Sequence, residues 1–231
     1  MQDFLNTKNC INCEHKSACF NTLLQEELQF INENKIQIQF FSGENLCKQG
    51  AFATYVMFVT SGMVKLYVEG GGQKRLAVKL LKQGDYIGLS SLWGSKLYQY
   101  SAQALKTTEV CMIEQTDIKS LLERNLRFSN ELLKAVSADE SQLFTKLRTS
   151  ALKQTNGKMA STLLYLGQEN FAEDSPFQYL NRQDIADFAG ISLEGGIKIL
   201  KEFEEEKLIE IRKKSIEIID KERLSQIERY G

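Results

Sequence analysis

Three of the five cysteines stand together near the start of the chain as C-x2-C-x5-C: Cys10, Cys13 and Cys19, with the single histidine, His15, between them. Thiolate and imidazole are both good zinc ligands, so the four residues could close a Cys3His knuckle. The thiols could equally serve as a redox switch. Residues 1–8 lack the basic and apolar regions of a signal peptide. No apolar run approaches the ~20 residues that span a bilayer. The expected setting is therefore the cytoplasm, without a membrane partner. In that reducing compartment clustered cysteines indicate metal or redox chemistry more often than disulfides. The other two, Cys47 and Cys111, lie in β-rich text, where a lone cysteine ordinarily fills a core.

The elements that would carry these thiols change character along the chain. With 231 residues, 42% hydrophobic and 26% charged, the chain has material for one large or two modest folded domains. Residues 1–22 form a polar, Cys-rich segment, and 23–34 show helical apolar spacing. Residues 23–115 read as one unit, because short β-rich runs follow from about 36: IQIQFF, TYVMFVT, MVKLYVE, RLAVKLL, YSAQALK and EVCMIE. Gly-bearing turns separate many of them, which predicts an antiparallel β-roll. Residues 116–155 then predict one long helix. Its Leu122, Leu126, Leu133, Val136, Leu143 and Leu147 follow a heptad seam interrupted by Glu140, as in a helix that pairs with its own copy in a homodimer. A charge in such a seam weakens association.

Residues 156–231 form a last unit. Within RQDIADFAGISLE, Ala186 is small where two helices would meet, Gly190 suits a tight turn, and Ser192 can cap the second helix. Two alternating runs, IEIR and IEII, flank a polar turn and read as a wing, followed by a short charged tail. Arg212, Lys213 and Lys214 at the wing tip, with Arg182 and Ser192, are candidate phosphate contacts on double-stranded DNA. The formal net charge of −1 excludes a globally basic nucleic-acid coat. Residues 151–231 carry 12 Lys and Arg against 15 Asp and Glu, a net of −3, so any DNA contact must be local.

The order of β-roll, long helix and winged helix-turn-helix resembles the Crp/Fnr family of bacterial transcription regulators. The resemblance rests on FSGENLCKQG, YVMFVTSGMVKLY and LKQGDYIGLSSL in the roll and on NRQDIADFAGISLE and IKILKEFEEEKLIEI near the end. It implies an α+β chain with a cyclic-nucleotide-binding-like roll, a homodimer, a pseudo-palindromic DNA site and RNA polymerase as a partner. The cysteines are similar to those of the oxygen-sensing Fnr branch, which implies Cys10, Cys13, Cys19 and Cys111 as ligands of a [4Fe–4S] cluster. Four soft thiolates suit a cubane, and Lys8 or Lys16 could offset part of their charge. Zinc remains the alternative metal, and Cys47 the spare core residue.

The family's recognition helix begins with Glu and carries a basic residue one turn later, places matched here by Glu194 and Lys198. Glu can accept from cytosine and Lys can donate to guanine. Two departures stand out. Ile197 and Lys198 replace the Ser and Arg of the Fnr branch, and Gly195-Gly196 is expected to interrupt the helix. Two glycines cost about 2 kcal/mol of helix propensity against Ala, and Gly196 is expected to lose packing as well. The roll lacks a Glu after Gly88 and an Arg before Ala102, which argues against cAMP; Trp93, Tyr98 and Tyr100 are expected instead to pack or to make contacts near the cysteine segment.

Two other readings stay open: a regulator gated by a small effector in the roll, and a zinc- or thiol-binding interaction module with weak or no DNA binding. An enzyme is not expected, because the chain has no P-loop, no nucleophile elbow, no HExxH and only one His.

Overall fold

The computed structural model describes residues 10, 11, 13, 17–72, 74–171, 174–213 and 215–231. Lys8, His15, Lys16 and Lys214, named above, lie outside the described residues. The chain forms two compact units, 1–69 with 79–141, and 70–78 with 142–231.

Helix α1 (Gln25–Asn34) leads into eight strands: β1 (Ile36–Phe40), β2 (Asn45–Cys47), β3 (Tyr55–Ser61), β4 (Met63–Glu69), β5 (Arg75–Lys82), β6 (Tyr86–Ile87), β7 (Ser101–Ala104) and β8 (Thr108–Glu114). They pair as two four-stranded sheets, β1-β8-β3-β6 and β2-β7-β4-β5. The observed pairings are antiparallel, as a roll requires. Side chains alternate along a strand, so β3 and β8 divide their residues between two cores. Met57, Val59 and Val110 face a core shared with Leu66, Leu81, Ile87, Ala102 and Cys47. Val56, Phe58, Cys111 and Ile113 face the other way.

That second core positions the cysteines. It joins the outer face of β3 and β8 to Cys10, Cys19, Phe20 and Leu23, to Leu28 and Ile31 of α1, and to Ile118 and Leu121 of α2 (Gln115–Arg124). Phe128 and Leu132, at the start of α3 (Leu126–Leu152), complete it.

The single helix expected over 116–155 is two helices, α2 and α3, parted at Asn125. Asn125 leaves helical geometry, and its side-chain oxygen accepts from the Phe128 N–H at 3.0 Å, capping α3. Its amide donates to Thr22 O and to the Glu27 carboxylate at 2.7 Å, tying the break to the N-terminal segment. Leu122 therefore lies on α2 and packs on the outer core, while Leu126, Leu133, Val136, Glu140, Leu143 and Leu147 lie on α3. Trp93, expected to pack, is 69% exposed. Tyr98 is buried, with its hydroxyl donating to Tyr55 O at 2.9 Å.

The second unit holds the end of α3 and α4 (Thr155–Leu166), α5 (Arg182–Ala189), α6 (Leu193–Glu205), β9 (Ile209–Arg212), β10 (Ser215–Ile218) and α7 (Lys221–Tyr230). Asn181 and Asp184 cap α5 reciprocally through each other's backbone N–H groups. Gly190 ends α5 at φ 66°, the left-handed conformation that glycine adopts without penalty. Lys146 of α3 donates to Phe188 O, at the carbonyl-rich end of α5, where a cation is favoured. The segment read as a charged tail is α7: Asp220 caps it through the Arg223 N–H, and Leu224 is fully buried.

Candidate metal centre and nucleic-acid interface

Strand β8 carries Cys111 opposite Phe58 of β3 and Gln37 of β1. The register places all three on the covered face of their sheet. There a cavity of about 20 Å³ is lined by Cys10, Cys13, Phe20, Ile31, Lys35, Gln37, Phe58, Thr60, Cys111 and Ile113. Two N-terminal thiols and a strand thiol about a hundred residues later thus share one space. Burial pushes the Cys111 thiol up from its ordinary pKa; the Gln37 amide and Lys35 charge oppose this, while Cys10 and Cys13 reinforce it. Gln37 Nε2 stands 3.6 Å from Cys111 Sγ.

Cys19 is buried in the same core but is not among the residues lining the cavity. Burial raises its pKa as well, against hydrogen bonds from Tyr86 and Ser17. Ser17 Oγ and Tyr86 Oη bond each other, and Tyr86 stacks on Phe20. Cys47 lies in the core between the two sheets, its thiol pushed up to about 12 by burial. Among the described residues, no group of three or more His, Cys, Asp or Glu is already arranged to hold a metal ion.

The helix pair of the second unit is built by close approach. Despite Gly195-Gly196, α6 runs uninterrupted from Leu193 to Glu205, capped by Ser192, whose hydroxyl accepts from Gly195 N at 3.1 Å. Gly196 is buried, and a Cβ there would stand 3.2 Å from Ala186 Cβ and 3.5 Å from Met159 Cε. Instead of losing packing, the missing side chain lets α6 settle against α5. Gly196→Val should therefore destabilise the second unit by about 1–3 kcal/mol through overpacking. Gly196→Ala should stay near neutral, gaining helix propensity while its neighbours yield a few tenths of an ångström. Thermal melting of the two variants checks both signs.

Glu194 and Lys198 are exposed on α6; Lys198 Nζ lies 3.8 Å from Glu202, a weak surface pair. Arg182 is half-buried at the start of α5, and Lys213 is exposed at the wing turn. Arg212 is engaged on its own wing, 3.0 Å from Glu210 and 2.9 Å from Glu217. A phosphate meeting Arg212 would compete with both carboxylates for its charge. The double variant Glu210→Gln, Glu217→Gln should raise non-specific DNA affinity about 3–10-fold and steepen its salt dependence by about one phosphate contact. Fluorescence anisotropy over a salt series reads both.

These elements define a two-part architecture: a β-roll and a winged helix-turn-helix. Residues 37–125 match the cyclic nucleotide-binding domain, and residues 157–227 match the Crp-like helix-turn-helix domain. The transcriptional activator protein FnrA of Stutzerimonas stutzeri is 29% identical over 188 residues, 77% of this chain and 74% of its own. The fumarate and nitrate reduction regulatory protein of Vibrio cholerae serotype O1 is 23% identical over 95% of this chain and 90% of its own. A putative transcriptional regulator of the Crp/Fnr family from Eubacterium rectale shares the fold, with a TM-score of 0.75, 20% identity and coverage of 92% and 98%. The chain belongs to the Crp/Fnr family: it is a bacterial transcription regulator and not an enzyme.

Proposed function

We propose that the protein is a homodimeric, oxygen- or redox-responsive regulator that binds pseudo-palindromic DNA and acts with RNA polymerase. In this reading residues 1–22 and Cys111 carry an iron–sulfur cluster, 23–115 form the sensor, 116–155 the dimer element and 156–231 the DNA-binding unit. The observation that carries it is the cavity shared by Cys10, Cys13 and Cys111. A zinc knuckle of Cys10, Cys13, His15 and Cys19 has no use for a roll-strand thiol at that place.

In kind the donor set suits a cluster, with three thiols on one space and the fourth in the same core, although among the described residues they are not yet arranged around a metal. About 20 Å³ holds little more than a water, so Cys10, Cys13, Cys19 and Cys111 would hold a cluster only with wider spacing than they have here. When bound, the group supplies sensitivity to oxygen. The chain's own residues carry the signal onward. Phe20, next to Cys19, packs edge-on against Phe128 of α3 at 6.0 Å. A change in the Cys segment thereby alters the packing beneath Phe128 and Leu132, at the root of the exposed α3 face. The signal is a shift in population between two dimer states.

For a cyclic nucleotide the roll offers poor reception, because the Gly88 N–H already donates to the Tyr100 hydroxyl at 2.8 Å. Anaerobic reconstitution with ferrous iron and sulfide tests the main reading. A brown protein with about four iron atoms per chain is expected; a colourless protein holding one zinc overturns it. Selection from a random DNA library is expected to enrich a palindrome; failure to enrich any sequence returns the chain to an interaction module without DNA reading.

A further inference from the structure

The cluster reading offers Lys8 and Lys16 as charge partners for the thiolates, yet the structure brings a different cation to the cavity. Lys35 follows α1 directly, with extended backbone at φ −77°, ψ 152° and its N–H held by Ile31 O. Its side chain is only 6% exposed and lines the space shared by Cys10, Cys13 and Cys111. Beside it Gln37 places a polar amide on the covered face of the sheet, in cross-strand register with Cys111 and 3.6 Å from its sulfur. The remaining walls are mostly apolar: Phe20, Ile31, Phe58 and Ile113. In such surroundings a buried cation and an N–H donor act strongly on anionic sulfur, since little water screens them.

We propose that Lys35 and Gln37 are positioning residues of the sulfur site: Lys35 offsets thiolate charge from inside the cavity, and Gln37 donates to the Cys111 sulfur. The proposal rests on the iron–sulfur reading above. Net charge and hydrogen bonds to sulfur set cluster potentials. A cation beside the site favours the electron-rich form, so its removal makes an electron easier for dioxygen to withdraw.

The test uses the full chain, reconstituted without oxygen with ferrous iron and sulfide. Lys35→Met keeps most of the length of the side chain without its charge, Lys35→Arg restores the charge, and Gln37→Leu removes the donor. After admission of air, the visible absorbance of Lys35→Met is expected to decay roughly tenfold faster than that of the parent, the low end of what an outer-shell loss costs at a metal site. Its midpoint potential moves to more negative values, Lys35→Arg returns both quantities towards the parent, and Gln37→Leu moves them the same way by less. Failure of Lys35→Met to take up iron where Lys35→Arg loads fully also supports the charge role, provided circular dichroism shows the fold intact. Equal decay and equal potential in parent, Lys35→Met and Gln37→Leu overturn the inference and leave the cluster reading standing. A parent protein that takes up no iron overturns the cluster reading itself.

Discussion

Replacing Leu133 and Leu143 together with Glu should convert the protein from dimer to monomer. Both lie on α3 and are largely exposed in the single chain, as are Leu126, Leu147 and Phe144. A row of large apolar side chains along one helix face is the kind of surface that an association would cover. Burying a Leu is worth about 1.5–3 kcal/mol, and a symmetric dimer loses each one twice. The expected loss is thus about 6–12 kcal/mol, before the added repulsion between carboxylates. Sedimentation should show the mass falling to that of one chain. Affinity for a two-half-site DNA should drop by at least about 100-fold, since the second half-site no longer benefits from linkage to the first. Circular dichroism should not change, because both side chains are more than half exposed in the single chain. A double variant that remains dimeric places the dimer contact elsewhere. Glu140, exposed between Val136 and Leu143 on α3, gives the opposite sign. Glu140→Leu should tighten the dimer, by removing a charge the interface must desolvate.

That face was legible in the sequence because heptad spacing survives wherever a helix is exposed. The break at Asn125 was not, since the apolar period continues past it and the cap depends on contacts to Thr22 and Glu27, about a hundred residues earlier. The longer roll strands announced themselves through alternation between glycine turns. Strand β6 did not, being two residues, Tyr86 and Ile87, within text dominated by Gly84 and Gly88. Helix α7 hid behind its charge, although Asp220 followed by Leu224 and Ile227 is a cap with the start of an apolar stripe. The cysteine triplet was visible by spacing alone. Lys35 and Gln37 were not, because their place at the site comes from the pairing of β1 with β8, which no local pattern records. The expected penalty of Gly195-Gly196 also missed its tertiary context: the residue that costs helix propensity is the one that admits Ala186.

Cys111→Ser should abolish iron retention, whereas Cys47→Ser should leave it intact. The two cysteines are matched controls, both buried on strands of the roll and both raised in pKa by burial. They differ in which face of the strand pairing they occupy. Cys111 looks into the space with Cys10 and Cys13, and Cys47 looks into the core between the sheets, near Tyr100 O. Serine is slightly smaller than cysteine and finds a donor in Gln37, so Cys111→Ser should cost the fold only about 1 kcal/mol. Its hydroxyl is a hard, weakly acidic ligand and does not replace a thiolate on iron. After anaerobic reconstitution, iron in Cys111→Ser should fall from about four atoms per chain to near zero, with loss of the visible absorbance. The same variant separates the two metals. Zinc held by Cys10, Cys13, His15 and Cys19 needs nothing from β8, so retention of one zinc in Cys111→Ser, with no iron bound by the parent, would assign the N-terminal segment to a knuckle. Loss of metal in Cys111→Ser alone ties that segment to the roll. It would make the strand the fixed point against which the segment docks, with the Phe20–Phe128 contact joining that docking to α3.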